Sequence, residues 1–226
     1  MLKKIKNYLL MKNKKMNKII FWLGFSLMGL GIVIILGIFF PIIKEELKYS
    51  FSSPELKQVA VVSESKITWT KNEDSKMKIV TPVDEEFGIV IPKILANAKV
   101  IPEVDHQDSH IYQQALTKGV AHAKGTPFPN EEGNVFLFAH SGADLLEANR
   151  YNAVFYLLSK LEAGDGIYLF YKGEKYHYEV EERKTVGANE VSYLEDKSPE
   201  KKLTLMTCWP AGTTLKRMIV VAKLVK

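Results

Sequence analysis

Cys208, the chain's single cysteine, closes the β-type run Leu203-Thr204-Leu205-Met206-Thr207 and is followed nine residues later by Arg217. His140 closes another apolar run, Val135 to Ala139, and Arg217 opens a third, Met218 to Val221. Three strand ends carrying a thiol, an imidazole and a guanidinium form a candidate constellation for acyl transfer. The thiolate attacks a carbonyl, the imidazole protonates the leaving amine, and the cation stabilises the negative charge that develops on oxygen.

Each of these residues also has a plainer reading. A lone cysteine is usually a small buried hydrophobe, and an arginine at a strand start is usually a solvated charge, here with Lys216 as its neighbour. Five histidines are present, His106, His110, His122, His140 and His177, and spacing alone separates only some of them. His177 lies among alternating residues of a strand arm. His106 and His110 flank Asp105 and Asp108 but lack a convincing metal-ligand pattern, so no metal and no cofactor is expected. His122 stays a rival to His140. Thr207, next to the cysteine, is a candidate substrate-binding residue with an equally good reading as a β-branched strand residue.

These residues require a scaffold of strands. From Phe87 onward, short runs of Val, Ile, Phe and Tyr are bounded by Pro, Gly and Asn, the pattern of a β-rich domain. Strands are expected at Gly88–Ile91, Ala98–Ile101, Val135–Ala139, Gly166–Tyr171, Lys175–Arg183, Leu203–Thr207 and Met218–Lys223, with Lys172-Gly173-Glu174 as a hairpin turn. Helices are expected at Ser109–Leu116 and at Tyr151–Leu161, where Val154, Phe155, Leu157, Leu158 and Leu161 fall at helical spacing. The expected fold class is mainly β, a closed barrel with short helical insertions.

The string Thr-Leu-Met-Thr-Cys ending at Cys208, followed by Trp-Pro-Ala-Gly-Thr-Thr-Leu-Lys-Arg, resembles the TLxTC…R signature of sortases, the cysteine transpeptidases of bacterial cell surfaces. Gly119 to Ser141, reading GVAHAKGTPFPNEEGNVFLFAHS, resembles the region around the sortase histidine, and Phe87 to Ile94 resembles the first strand of that fold. The similarity runs in order from Phe87 to Val225. It implies the sortase β-barrel, with catalytic Cys208, His140 rather than His122, and Arg217. It also implies a C-terminal sorting motif of the LPxTG type as substrate, and an amine acceptor such as a peptidoglycan precursor or a pilin lysine. The Cys-x-Pro-x-Gly-Thr pattern and the short hairpin lean toward the shorter-loop classes, of C, D or E type. Two other readings use the same residues: a membrane-anchored cysteine protease with water as acceptor, and a surface-binding relic that no longer reacts.

The rest of the chain suggests where such an enzyme works. The formal charge of +5 arises in the first 18 residues, which hold seven lysines and no acid, so the remainder is near neutral and gives no case for nucleic acid. Ile19 to Ile43 contains no charged residue. As a helix it is about 37 Å long, more than the roughly 30 Å hydrocarbon core of a bilayer. An uncleaved anchor is expected in preference to a signal peptide, because no small-residue cleavage site follows the run. Lysines before the span put residues 1–18 in the cytoplasm and everything after residue 43 outside. Residues 44–86, polar with brief apolar patches, read as an extracellular stalk ahead of a catalytic domain over 87–226. Gly24, Gly29, Gly31 and Gly37 suit either a helix interface or ordinary membrane-helix composition, and no oligomer is inferred.

Overall fold

The computed structural model describes residues 78–142 and 154–225, together with Val59–Val61, residues 21–34 and the single positions Lys18, Gly37, Phe40 and Leu47. The chain divides into two compact units, Met1–Lys48 and Tyr49–Lys226. In the first unit residues 21–34 are helical, and their large apolar side chains are exposed. Among the described residues no helix is long and apolar enough to cross a membrane. The expected span over 19–43, the lysine arm before it and most of the stalk fall partly or wholly outside those residues.

Among the described residues the second unit holds ten strands: β1 (Val59–Val61), β2 (Lys78–Val80), β3 (Phe87–Ile91), β4 (Ala96–Val104), β5 (Val120–Ala123), β6 (Asn134–Phe138), β7 (Gly166–Tyr171), β8 (Glu174–Gly187), β9 (Lys202–Trp209) and β10 (Lys216–Leu224). β1 and β2 form a parallel pair. The other eight close into a barrel in the order β10-β8-β7-β3-β4-β5-β6-β9. Closure leaves no open sheet edge. The period-2 alternation of the sequence explains its filling: Ile89 and Ile91, Ile167 and Leu169, and Leu203 and Leu205 each lie two apart on one face and are fully buried together. Burial of each such side chain stabilises the barrel by about 1.5–3 kcal/mol. The opposite face of β3 and β7 buries Val90 and Phe170 under Val80 and Tyr168.

The Ser109–Leu116 helix has the expected bounds. Asp108 caps it, its Oδ1 accepting from the amides of His110 and Ile111 at 2.9 and 3.2 Å. Gly119 lets the returning chain pass against β4, since a Cβ there would sit 2.3 Å from Lys99 O. The β7–β8 hairpin turns on Lys172 and Gly173, both at positive φ, as expected of a two-residue turn of the I′ kind.

Three expectations about elements change. Residues 154–161 form turns and one 3-10 turn, Leu158–Lys160, in place of an α-helix, and Tyr151–Ala153 lie outside the described residues. Phe155, Leu158 and Leu161 are fully buried in the core there, and Arg183 Nη1 donates to the carbonyls of Ser159 and Leu161. The apolar spacing thus reflects burial of a folded loop. β8 runs on to Gly187 because its backbone keeps pairing with β10, Arg217 opposite Val186 and Met218 opposite Thr185, although its side chains have become polar. β5, which carries His122, was not expected as a strand; its four residues are too few to show a period.

Candidate active site

β9 lies between β6 and β10 and brings the three candidate residues together. It pairs in parallel with β6, Phe138 opposite Met206, and antiparallel with β10, Arg217 opposite Cys208. Directly opposed residues point to the same face. Cys208 and Arg217 are therefore neighbours, and His140 emerges on the other side of β9, two residues beyond Phe138. All three line one cavity of about 600 Å³. Cys208 is half-buried inside β9, one residue before its end, and is the one cysteine of the chain. Lys216, beside Arg217, is exposed and does not line the cavity.

The backbone before His140 is fixed to the strand that bears the thiol. Ala139 N donates to Met206 O at 3.2 Å, and Thr207 Oγ1 donates to Ala139 O at 2.8 Å. The buried Thr207 hydroxyl is thus committed to a tie between the two strands, worth about 1 kcal/mol. Arg217 Nη1 donates to Thr214 O and Lys216 O, each at 3.1 Å, which sets the plane of the guanidinium. The turn between Cys208 and Arg217 is closed by Thr213, whose amide and hydroxyl both donate to Pro210 O.

From this end the cavity runs along the outer face of β6 and β9. Phe136, Phe138 and Met206 form its floor, the Ser109–Leu116 helix gives one wall through Tyr112 and Leu116, and the loop after β8 gives the other through Val191 and Leu194. That second wall begins at Ala188 rather than at Lys184, since β8 is longer than expected. A buried residue that sequence reasoning missed secures it: Asn134 Nδ2 donates to Tyr193 O at 2.7 Å, and its Oδ1 accepts from Thr204 Oγ1 at 2.9 Å. The available signal was a polar residue opening an apolar strand. The cavity can hold an extended peptide over apolar side chains and present one of its carbonyls to a thiol flanked by an imidazole and a guanidinium.

His122 stands elsewhere. It is fully buried in β5, packed on Phe87 and Phe128, and it does not line the cavity. Its Nδ1 accepts from Glu103 N at 3.4 Å and its Nε2 lies 3.1 Å from Pro127 O, which fits the neutral Nε2–H tautomer. Burial holds its pKa below the ordinary 6.5, outweighing the Pro127 carbonyl and the Glu103 carboxylate that pull the other way. His177, stacked on Tyr168, is pushed down as well, by burial and then by Lys175. His110 lies in the first turn of the capped helix, and the Asp105 and Asp108 carboxylates accept from backbone amides. Among the described residues no group of three or more His, Cys, Asp or Glu is placed to hold a metal ion.

The sign of the His122 shift gives a testable result. Its contribution to stability is full above about pH 6.5 and is lost as the pH falls through that value toward the lower folded pKa, because the unfolded chain binds the proton first. Urea midpoints should therefore drop between about pH 7.5 and pH 5.5. His122→Gln should reduce the drop without abolishing it, since His177 acts in the same direction. An unchanged drop would show that His122 does not carry it.

Comparison with known proteins bears on this arrangement. A family model described as the sortase domain matches residues 89–225, more than half of the chain. Sortase D of Bacillus subtilis is 28% identical over 162 residues, covering 68% of this chain and 73% of that protein. Among solved structures, sortase C-1 of Actinomyces oris is similar at a TM-score of 0.54 and 27% identity, over 64% of this chain and 76% of that one. A sortase D5 transpeptidase of Clostridium perfringens is similar at a TM-score of 0.51 and 26% identity, over 63% of this chain and 80% of that one.

Proposed function

Because the chain belongs to the sortase family of cysteine transpeptidases, we propose that Cys208 is its nucleophile, His140 its proton carrier and Arg217 its oxyanion-side cation, acting on an LPxTG-type sorting motif. The observation that carries this is the pairing of Arg217 with Cys208 across β9 and β10, in the same cavity that His140 lines.

The Cys208 thiolate attacks the carbonyl carbon of the motif's threonine, and the carbonyl electron pair moves to oxygen. Arg217, paired opposite Cys208 across β9 and β10, supplies the positive charge that stabilises it. Collapse of the tetrahedral intermediate breaks the C–N bond, and His140 gives its proton to the departing glycine amine. The thioester is then attacked by an acceptor amine, which returns a proton to His140 and frees Cys208 as a new amide forms.

Incubating the purified chain with an LPxTG-type peptide and an excess of a glycine-based amine should yield a new amide ending at the motif's threonine. Mass spectrometry distinguishes it from the free acid. Free acid as the sole product would make the protein a protease, and no cleavage would sink the motif assignment.

The acceptor in the cell is a peptidoglycan precursor or a pilin lysine. The enzyme acts from residues 87–226 outside the membrane, on a stalk over 44–86 and a span over 19–43, with residues 1–18 in the cytoplasm. The uncharged run of Ile19 to Ile43 behind seven lysines supports this arrangement. Protease added to intact cells should cut between Glu45 and Glu86 and release the C-terminal part. Protection in whole cells with digestion in inverted vesicles would reverse the orientation.

A further inference from the structure

The far end of the groove holds a polar group with no partner. His106 lines the cavity, and its Nδ1 is buried without a hydrogen-bonding partner among the described residues. The nearest carboxylates do not serve it, since Asp105 accepts from Gln107 N and Asp108 from His110 N and Ile111 N. Phe136, Leu116 and Leu194, which line the same cavity, make that end apolar. A hydrogen bond made there is strengthened by the low local dielectric, and a buried nitrogen left without one is costly.

Strand registers fix how far along the groove His106 lies from the thiol, and the order β4-β5-β6-β9 sets it three strand spacings, roughly 14 Å, to the side. β4 carries one extra residue between Ile101 and Val104, with Glu103 at positive φ, and ends with Val104 opposite Ala123. Ala121 opposes Phe138, so Ala123 is level with Phe136, and Phe136 is level with Thr204 on β9. His106 follows two residues after Val104. Thr204 is four residues before Cys208, or about 13 Å along the strand. With the sideways offset the separation is roughly 19 Å, which an extended peptide with its scissile carbonyl at Cys208 covers in about six residues. The acyl part must stay bound while the leaving group departs and the amine arrives, so it is the acyl part that fills the walled groove.

We infer that His106 is a specificity-determining residue whose Nδ1 hydrogen-bonds the substrate main chain within the two residues before the motif's leucine. This rests on the LPxTG-type reading above. The site would thus read sorting signals beyond the five motif positions, through a main-chain amide that any flanking residue supplies.

Two peptides test it on the full-length chain. One carries three residues before the leucine; in the other, 4-methylpentanoyl replaces the leucine and everything before it, so that no upstream amide exists. His106→Leu should raise KM on the long peptide about tenfold with kcat little changed, and should match the parent on the short one. His106→Asn, whose amide sits where Nδ1 does, should restore the long-peptide KM. An unchanged KM on the long peptide would overturn the inference. So would an equal loss on both peptides, the mark of a purely structural role, or a failure of asparagine to rescue. If the parent does not cleave the long peptide, the motif reading falls and takes this inference with it.

Discussion

Cys208→Ala should abolish transpeptidation while the barrel stays folded. The thiol is half-buried near the end of β9, and β9 is held by parallel pairing to β6 and antiparallel pairing to β10, neither of which involves the side chain. Losing one sulfur at such a position costs on the order of 1 kcal/mol, which a closed barrel with a continuous apolar core tolerates. The chemical loss is of another size. Without sulfur there is no thioester, and what remains is binding and polarisation by Arg217, so the rate should fall on the order of 10⁴-fold or more. Peptide turnover read beside a thermal melt separates the two effects. Acyl transfer by a folded Cys208→Ala chain would end the nucleophile assignment.

His140→Ala should lower kcat on the order of 10²- to 10⁴-fold, the usual contribution of one positioned acid–base group. Its effect should far exceed that of His122→Gln, which removes a buried ring from the aromatic cluster of Phe87 and Phe128 and so acts on stability. The ties from Ala139 to Met206 and Thr207 make the comparison clean, because they hold the main chain before residue 140 whatever side chain it carries. Single-turnover kinetics on a sorting-motif peptide give the ranking. A crippled His122 variant with a competent His140 variant would exchange the two roles.

The candidate site was more legible in the sequence than the walls around it. Cys208, His140 and Arg217 each sit at a boundary of a strong apolar run, and the alternation that marks a strand also fixes which residues oppose one another once β6, β9 and β10 pair. Gly166–Tyr171 and Ser109–Leu116 were readable to the residue because their ends carry turn or cap chemistry. β8 beyond Arg183 was hidden, since its side chains face solvent and only its backbone reports that it is a strand. The 154–161 segment misled for the converse reason: apolar spacing records which residues are buried, and a turn held by the Arg183 side chain satisfies it as well as a helix does. Asn134 shows in the sequence only as a polar residue opening an apolar strand, and its partners Tyr193 and Thr204 lie far away in the chain.

The amide of Asn134 connects Thr204, in the strand that bears the nucleophile, with Tyr193, in the loop that forms a groove wall. The loop is received there through a main-chain carbonyl, a feature every residue possesses, so the tie itself sets no requirement on the loop's side chains. Ala188–Lys201 is therefore an exchangeable cassette. A transplant from a relative of different specificity needs to keep its length up to the Tyr193 carbonyl, apolar side chains where Tyr193 and Leu194 pack on the core, and Asn134 beneath it.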